Sequence, residues 1–456
     1  MIKFGKGVVK CRFLILILAF LLLIPSAIGY MKTRINYDIL SYLPGQIETM
    51  KGQDILLDEF GTGAFSFVVV EGMQDKDLQK IADKIEDVPH VKNVIWYGSV
   101  MDFSIPREAL PDDIYNFFNN KDADSQLMAV LFDESMSSDG TMDAIQTIND
   151  LVGKQCFVSG MASVNNDIRK LAENESVIYV LIAVVLSLIV LSLTMDSVVV
   201  PFLFLISIGM AIIYNLGSNV FFGEISYITK ALAAVLQLGV TMDYSIFLWH
   251  SYQEQKERFD GDKNRAMAHA ISNTFKSITG SSVTTVAGFF ALCFMTFALG
   301  ANLGIVMAKG VIIGVICCVT VLPSLILMCD KLIEKTHHRS LMPDLTNASH
   351  FITKHYKVWL IIFLVMLFPA IHGNNNLKNY YNIDKSLPST LDSNVANAKL
   401  QETFDMNNVH MVLLKKGLTS KEKTEMLDQI KDVDGVKWAL GMDSFVGAAF
   451  PDTMIP

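Results

Sequence analysis

Charged residues are scarce in this sequence. Only 18% of the 456 residues are Asp, Glu, Lys or Arg, whereas 51% are hydrophobic, and the mean hydropathy is +0.38. Because soluble domains carry about a quarter of charged residues, this composition argues against a soluble cytosolic enzyme. Basic residues are also in the minority, with a net charge of −9, so the chain offers no electrostatic basis for binding nucleic acid.

Several chemical motifs are missing as well. Of six cysteines only Cys156 lies in the polar part of the chain, residues 31–175, so that part cannot close an internal disulfide. No Cys-x-x-Cys or Cys/His spacing occurs, and neither a metal nor another cofactor is predicted. The GxxxxGK[ST] phosphate-binding motif is absent, which argues against ATP as the direct energy source. An enzyme is the least favoured class, because residues 31–175 contain no recognisable Ser/His/Asp set or pair of acids.

Seven apolar runs are long enough to cross a membrane, since a bilayer core of about 30 Å takes roughly 20 residues of helix. The runs lie at about 13–30, 176–194, 198–216, 229–250, 278–298, 303–328 and 357–372. No clean small-x-small cleavage pattern follows the first run, so it is predicted to remain as a span rather than to be removed as a signal peptide. The charged segment 253–276 is predicted to be an amphipathic helix on the inner membrane surface or a solvated loop.

Basic residues in the short loops indicate the orientation of the spans. Residues 1–12 carry four Lys or Arg, and the loops after spans four and six are also basic, whereas 299–302 has no basic residue. By the positive-inside rule, the N-terminus is predicted to be cytoplasmic. Residues 31–175 and 373–456 are then predicted to be extracytoplasmic.

Residues 31–175 alternate between strand and helix patterns. The predicted elements, in order, are a strand at Phe65–Glu71, a helix at Asp75–Asp87, a strand at Val91–Tyr97, a short helix at 111–119, a strand at Leu127–Phe132, a helix at Met142–Val152 and a strand at Gln155–Ser159. The main elements follow the β-α-β-β-α-β order of the ferredoxin-like motif. A helix from Met161 is predicted to run directly into span two.

The chain then begins to repeat itself at an offset of about 344 residues. The matching segments include Leu43-Pro44 with Leu387-Pro388 and 87–92 (DVPHVK) with 432–437 (DVDGVK). Self-similarity at so long a period is typical of transporters built from two fused halves. Two units of about 345 residues predict a full protein of about 690, so this chain is predicted to be about two thirds of a transporter.

These patterns predict a polytopic α-helical membrane protein with seven spans and a ferredoxin-like α+β domain outside the membrane. The predicted parts are the cytoplasmic N-terminus with span one (1–30), the extracytoplasmic domain (31–175), a five-span bundle (176–328), a cytoplasmic linker (329–356), span seven (357–372) and an incomplete second extracytoplasmic domain (373–456).

One carboxylate is predicted to lie inside a span. Asp243 stands about seven residues from the inner end of span four. An ionised acid at such a depth costs at least several kcal/mol, so acids there are rare and mostly functional. We interpret Asp243 as a proton carrier and Tyr244 as a neighbouring hydroxyl donor. The alternative is an interfacial carboxylate on a helix that ends at Met242.

Five further polar residues are candidate neighbours of this relay. Gln237 and Thr241 share a helical face with Tyr244, which gives span four a polar stripe. Thr284 and Thr285 of span five are expected at the depth of Asp243, with ordinary helix packing as the alternative interpretation. Lys309 of span six is predicted either to pair with Asp243 or to extend its ammonium group to the outer surface.

Three segments together resemble a known family: 239–248 (GVTMDYSIFL) in span four, 281–289 (SSVTTVAGF) in span five and Leu322-Pro323 at the end of span six. They resemble the MMPL (mycobacterial-membrane-protein-large-type) branch of the resistance–nodulation–division (RND) superfamily, and the resemblance covers the whole chain. It implies porter-type outside domains and proton-driven export of lipids, lipid-like metabolites or drugs from a bacterial plasma membrane. Spans two to six also resemble the bundle of sterol-sensing-domain proteins.

The resemblance also implies partners. They are membrane lipids, a hydrophobic or amphiphilic small-molecule substrate, protons, and a second polypeptide that supplies the other half with its own Asp-Tyr pair. Two other functions stay open. One is a non-transporting module for lipid sensing or assembly, which the missing second half favours, and the other is a component of the protein-export branch of the RND superfamily.

Overall fold

The computed structural model describes residues 1–100, 112–338, 346–378, 387–407, 409–415 and 417–441. The chain forms two compact units. The first, the membrane unit, contains residues 1–35, 174–295 and 299–383. The second, the sheet unit, contains residues 36–173, 296–298 and 384–456.

Helices make up most of the described chain. In chain order they are α1 (Ile2–Lys10), α2 (Arg12–Lys32), α3 (Glu48–Phe60), α4 (Asp75–Glu86), α5 (Tyr97–Val100), α6 (Asp112–Phe118), α7 (Asp139–Leu151), α8 (Met161–Thr194), α9 (Val199–Gly217), α10 (Tyr227–Arg258), α11 (Lys263–Ala291), α12 (Ala298–Lys335), α13 (Thr346–Lys354), α14 (Tyr356–Asn375), α15 (Asp392–Phe404) and α16 (Ser420–Lys431).

Among the described residues, seven helices are long and apolar enough to cross a membrane: α2, α8, α9, α10, α11, α12 and α14. They coincide with the seven predicted spans, so the prediction of a multi-pass membrane protein is confirmed. Several helices extend well beyond their apolar runs. In particular, α8 begins at Met161 and continues without a break to Thr194, as the sequence predicts.

The charged segment before span five is mostly helical rather than a solvated loop. Residues 253–258 continue α10, and 263–276 form the first half of α11, which runs on into the span. Ala266, Met267 and Ile271 are completely buried in this half. They lie on one side of the helix, at i, i+1 and i+5, and this apolar side packs into the bundle while the charged residues face outward.

Spans one and three pack with their backbones close together. Gly29 of α2 and Gly217 of α9 meet at the contact, and a Cβ on Gly29 would collide with the carbonyl oxygen of Gly217. A Cβ on Gly217 would lie 2.6 Å from the carbonyl carbon of Ser26. The Tyr214 hydroxyl donates a hydrogen bond of 2.5 Å to the carbonyl of Ala19 nearby. Small residues therefore permit the close approach of these two helices.

An ionic cluster joins the ends of α10, α11 and α12. The carboxylate of Asp330, only 7% exposed, lies 3.7 Å from Lys256 of α10 and also pairs with Lys263 of α11. Both lysines contact Glu334, at 3.2 and 3.3 Å. The Tyr252 hydroxyl lies 3.5 Å from the Asp330 carboxylate. Because a nearly buried carboxylate faces two ammonium groups, the three helix ends are held together electrostatically.

The sheet unit contains an antiparallel sheet. The strands of the described chain are β1 (Arg34–Asn36), β2 (Ala64–Glu71), β3 (Val91–Ile95), β4 (Asn119–Asn120), β5 (Ser125–Phe132), β6 (Cys156–Ser159) and β7 (Glu224–Ser226). The sheet order is β3-β5-β2-β6, with β4 paired to β5. Since α4 connects β2 to β3 and α7 connects β5 to β6, the predicted β-α-β-β-α-β order is confirmed.

Strand β2 is apolar on both faces because both faces are covered. Val68 and Val70 belong to a core cluster with residues of α4 and α7. Phe67 and Val69 belong to a second cluster that includes Leu400 of α15. Alternate residues of a strand point to opposite faces, so a continuous apolar run is typical of a strand with cover on each side.

Helix positions repeat at the offset found in the sequence. Helices α13, α14 and α15 begin 344 residues after α1, α2 and α3, and α16 begins 345 residues after α4. The two copies differ in burial, since α15 packs on the sheet while α3 has no buried residue. Residues 442–456 of the predicted second domain lie outside the described residues.

Candidate functional site

One face of α10 is polar and buried. Gln237, Thr241 and Tyr244 are 1%, 1% and 6% exposed, so the predicted stripe faces the interior of the bundle. Helix α12 approaches it through two glycines. A Cβ on Gly314 would collide with the Thr241 methyl group, and a Cβ on Gly310 would lie 3.0 Å from Gln237 Oε1. Glycine at these two positions therefore lets α12 lie directly on the polar stripe.

A buried amide cluster adjoins this stripe. Asn215 of α9 donates from Nδ2 to Gln237 Oε1 at 3.0 Å. Lys309 of α12 donates from Nζ to Oδ1 of Asn219, in the turn after α9, and lies 5.1 Å from the ring centroid of Phe222. Asn215 and Asn219 are both 0% exposed. Three helices thus bring polar groups together inside an otherwise apolar bundle.

Three atoms of the amide cluster lack a hydrogen-bond partner among the described residues: Asn215 Oδ1, Asn219 Nδ2 and Gln237 Nε2. A buried polar atom without a partner costs roughly 1–3 kcal/mol, and such atoms are generally paired with protein or water. The cluster therefore offers donors and an acceptor to a small polar species between the helices. The sequence analysis did not identify either asparagine, although the polar Asn215 within the apolar run of span three could have indicated a buried polar site.

Asp243 lies on the opposite side of α10 from Gln237 and Thr241. It stands 16 residues after the start of α10 and 15 before its end, which places it about 24 Å from one end and about 23 Å from the other. Its side chain is exposed, on a face that includes Gly239 and Phe247. No described residue hydrogen-bonds or pairs with its carboxylate. Asp243 and Tyr244 are neighbours in sequence, but only Tyr244 points into the bundle.

The two threonines of span five satisfy their hydroxyl groups within α11. Thr284 and Thr285 both donate to the carbonyl of Ser281, at 2.7 and 3.1 Å. Thr284 is exposed and Thr285 is half-buried, on a side of α11 that also carries Gly280 and Gly288. No hydrogen bond within the described part of the chain joins either threonine to Asp243. This side of α11 is built of small residues, as in helices that pack closely in membranes.

Lys309 does not pair with Asp243 in this structure. Its ammonium group binds Asn219 instead, and its side chain is half-buried rather than extended into solvent. The structure therefore separates the predicted site into two parts. The amide cluster with Gln237 and Lys309 lies inside the bundle, whereas Asp243 and Thr284 lie on its exposed side.

Replacing Lys309 by Met is expected to destabilise the protein by roughly 1–3 kcal/mol, because the buried Asn219 oxygen loses its donor. Thermal unfolding of the purified protein measures the loss. Replacing Asn219 by Leu as well removes both partners. The double variant is therefore expected to cost less than the sum of the single variants, by about 0.5–3 kcal/mol. Strictly additive costs would contradict this hydrogen bond.

Seven spans, a ferredoxin-like sheet and an acid inside span four define a polytopic, transporter-like membrane protein. A family model described as the MMPL family matches residues 46–354, which is more than half of the chain. The chain therefore belongs to the MMPL family, as its resemblance implies.

Individual relatives match at low identity. The protein SCO5905 of Streptomyces coelicolor is 24% identical over 301 residues, covering 63% of this chain and 35% of that protein. The siderophore exporter MmpL5 of Mycobacterium tuberculosis is 23% identical over 207 residues, covering 43% of this chain and 21% of that protein. A crystal structure of SecDF in its super-membrane-facing form aligns with a TM-score of 0.38 at 12% identity, covering 72% of this chain and 39% of that one.

The chain spans between about a fifth and a third of the length of the curated relatives it matches.

Proposed function

We propose that this protein exports lipids, hydrophobic metabolites or drugs across a bacterial plasma membrane, driven by the proton-motive force. Asp243 carries the proton, and Tyr244 is its neighbour in the chain. The observation that supports this proposal most directly is the position of Asp243 inside span four, 16 residues after the start of α10 and 15 before its end. Ionisable residues at this depth are rare and mark ion and proton pathways. Membership of the MMPL family, and the name of MmpL5 as a siderophore exporter, support the export part.

The exposed position of Asp243 implies that this face is covered in the working protein. Lipid hydrocarbon offers no hydrogen bond, so acids within a membrane face protein or water. Gly239 of α10 and Gly280 and Gly288 of α11 leave room on the same exposed surfaces for further helices to approach closely. In our proposal those helices belong to the rest of the working transporter, and the proton passes between Asp243 and polar groups on them.

The orientation in this proposal follows from the basic loops. The N-terminus is cytoplasmic, and residues 31–175 and 373–456 are extracytoplasmic. Substrate then leaves by way of the outside domains, while the proton enters through the span that carries Asp243. The amide cluster around Gln237 and Lys309 is a separate polar region, and the proposal gives it no proton-carrying step.

Reconstitution of the whole transporter, with the helices that cover Asp243, into liposomes tests the energy source. A hydrophobic fluorescent dye is expected to move across the membrane when a pH gradient is imposed, and to stop when a protonophore collapses that gradient. Protein-free liposomes of the same composition are the control. Dye movement that is the same without a pH gradient and with the protonophore would contradict proton coupling. The absence of any dye movement would favour the non-transporting alternative.

A further inference from the structure

Helix α1 lies directly on the first turns of α11, within the membrane unit. A Cβ on Gly5 would collide with the carbonyl oxygen of Ala268 and lie 3.1 Å from its carbonyl carbon. Val8 is buried in the bundle core, and the rings of Phe4 and Phe275 meet edge to face at 5.9 Å. The apolar side of α1 is thereby fixed against α11, so the lysines of α1 are held beside the start of that helix.

This packing leaves a pocket of about 460 Å³ between α1, the start of α2 and the start of α11. Four cationic side chains line it: Lys6, Lys10, Arg12 and Arg265. We call it the cationic pocket. The remaining lining residues are the apolar Val9, Phe13 and Ala268, together with Asn264 and His269. No acidic side chain is among them.

The cations of the pocket are not neutralised by the described protein. Neither Lys6, Lys10, Arg12 nor Arg265 forms an ion pair anywhere in the described ranges. Arg12 donates to Asn264 Oδ1 at 2.9 Å, and the Arg265 guanidinium lies 4.4 Å from the ring centroid of Phe259, so both are oriented by neutral groups.

The neighbouring acid, Asp262, is already engaged. Its carboxylate caps α11 by accepting the backbone N–H of Arg265 at 3.1 Å. That carboxylate already meets the N-terminus of α11, so the four basic side chains alone make the pocket suited to an anion.

One wall of the pocket belongs to the exposed apolar surface of span one. Phe13, which forms part of its wall, is 58% exposed, and the exposed residues Leu14 and Ile17 continue the same apolar surface along α2. A cationic site with one apolar wall at the end of a span matches an anionic phospholipid, whose phosphate and acyl chains are joined. A soluble anion would gain nothing from that wall.

We propose that the cationic pocket binds the headgroup of an anionic phospholipid, with the phosphodiester between Lys6, Lys10, Arg12 and Arg265 and the acyl chains along span one. The lipid acts as a structural ligand that fixes α1 at the membrane surface. This site is independent of Asp243 and of the transport reaction, so the test of lipid binding is also independent of the proposed function.

Native mass spectrometry of the full chain, with phosphatidylglycerol and phosphatidylcholine of identical acyl chains, tests the proposal. Phosphatidylglycerol is expected to bind in preference. The Lys6→Gln/Lys10→Gln variant is expected to weaken that binding about 25-fold, because a basic residue at an anionic surface contributes a factor of roughly five. Both lysines are exposed, so the variant is expected to fold, and thermal unfolding verifies it. Arg265→Gln, on the other wall, is expected to weaken binding in the same direction.

The matched control is Lys331→Gln/Lys335→Gln. It removes the same charge at the same i, i+4 spacing, from exposed lysines of α12 that do not line the pocket. Phosphatidylglycerol binding is expected to change less than twofold in this control. The proposed site would be contradicted if both double variants weakened phosphatidylglycerol binding equally, or if the unmodified protein bound the two lipids equally. Displacement of the lipid by equimolar inorganic phosphate or glycerol 3-phosphate would show that the site binds a soluble phosphate and would contradict a phospholipid as its ligand.

Discussion

Proton flux through the reconstituted protein is expected to fall to the level of protein-free liposomes when Asp243 is replaced by asparagine. The amide has nearly the shape of the carboxyl group but cannot release a proton, so a relay through this side chain loses its carrier. A fluorescent pH indicator inside the liposomes measures the flux after an imposed pH jump. Asp243 makes no hydrogen bond or ion pair in the described structure, so the substitution is expected to leave folding intact.

A second acid on the same helix provides the control for this substitution. Glu254 lies three helical turns further along the exposed face of α10, close to its end. Glu254→Gln removes the same charge from a position near the end of α10, beyond the apolar run, and flux is expected to remain. Asp243→Glu keeps a titratable carboxyl group inside the span and is expected to retain part of the flux. Unchanged flux in Asp243→Asn would exclude Asp243 as the proton carrier.

The melting temperature is expected to fall clearly when Gly217 is replaced by alanine. The added Cβ would lie against the backbone of Ser26, and backbone atoms in a helix cannot turn aside as a flexible side chain does. Overpacking of this kind typically costs about 1–3 kcal/mol and pushes the two helices apart. Because Gly29 meets Gly217 at the same contact, spans one and three are expected to separate along this segment.

Gly209→Ala on the same helix separates overpacking from any general effect of alanine. A Cβ at Gly209 meets no atom within 4 Å. Alanine also favours a helix over glycine by about 1 kcal/mol, so this variant is expected to be neutral or slightly stabilising. Thermal unfolding of both variants in the same detergent makes the comparison. Equal melting temperatures for the two would rule out the close backbone contact as a source of stability.

Strong periodic signals made most of the fold predictable from the sequence. The run FSFVVVE predicted β2 to within one residue, and the apolar runs predicted every span. An amphipathic helix was one of two interpretations of the beginning of α11, but its packing into the bundle through Ala266, Met267 and Ile271 was not predicted. Charge content alone cannot separate a surface helix from one that buries a single face.

The site was less predictable than the fold. Helical geometry places Asp243 about 200° around α10 from Thr241, so the sequence does indicate that they face different ways. It does not indicate which face the neighbouring helices cover. The bond between Lys309 and Asn219 depends on how α12 lies against α9, and this is a matter of tertiary packing between segments 90 residues apart. Such long-range contacts leave no local pattern in the chain.

The ion pairs around Asp330 have a mechanical consequence. Tilting α12 against α10 and α11 at this end separates Asp330 from both ammonium groups and leaves a nearly buried charge alone, at a cost of several kcal/mol. These three helices therefore resist separation at this end and are expected to move as one rigid group.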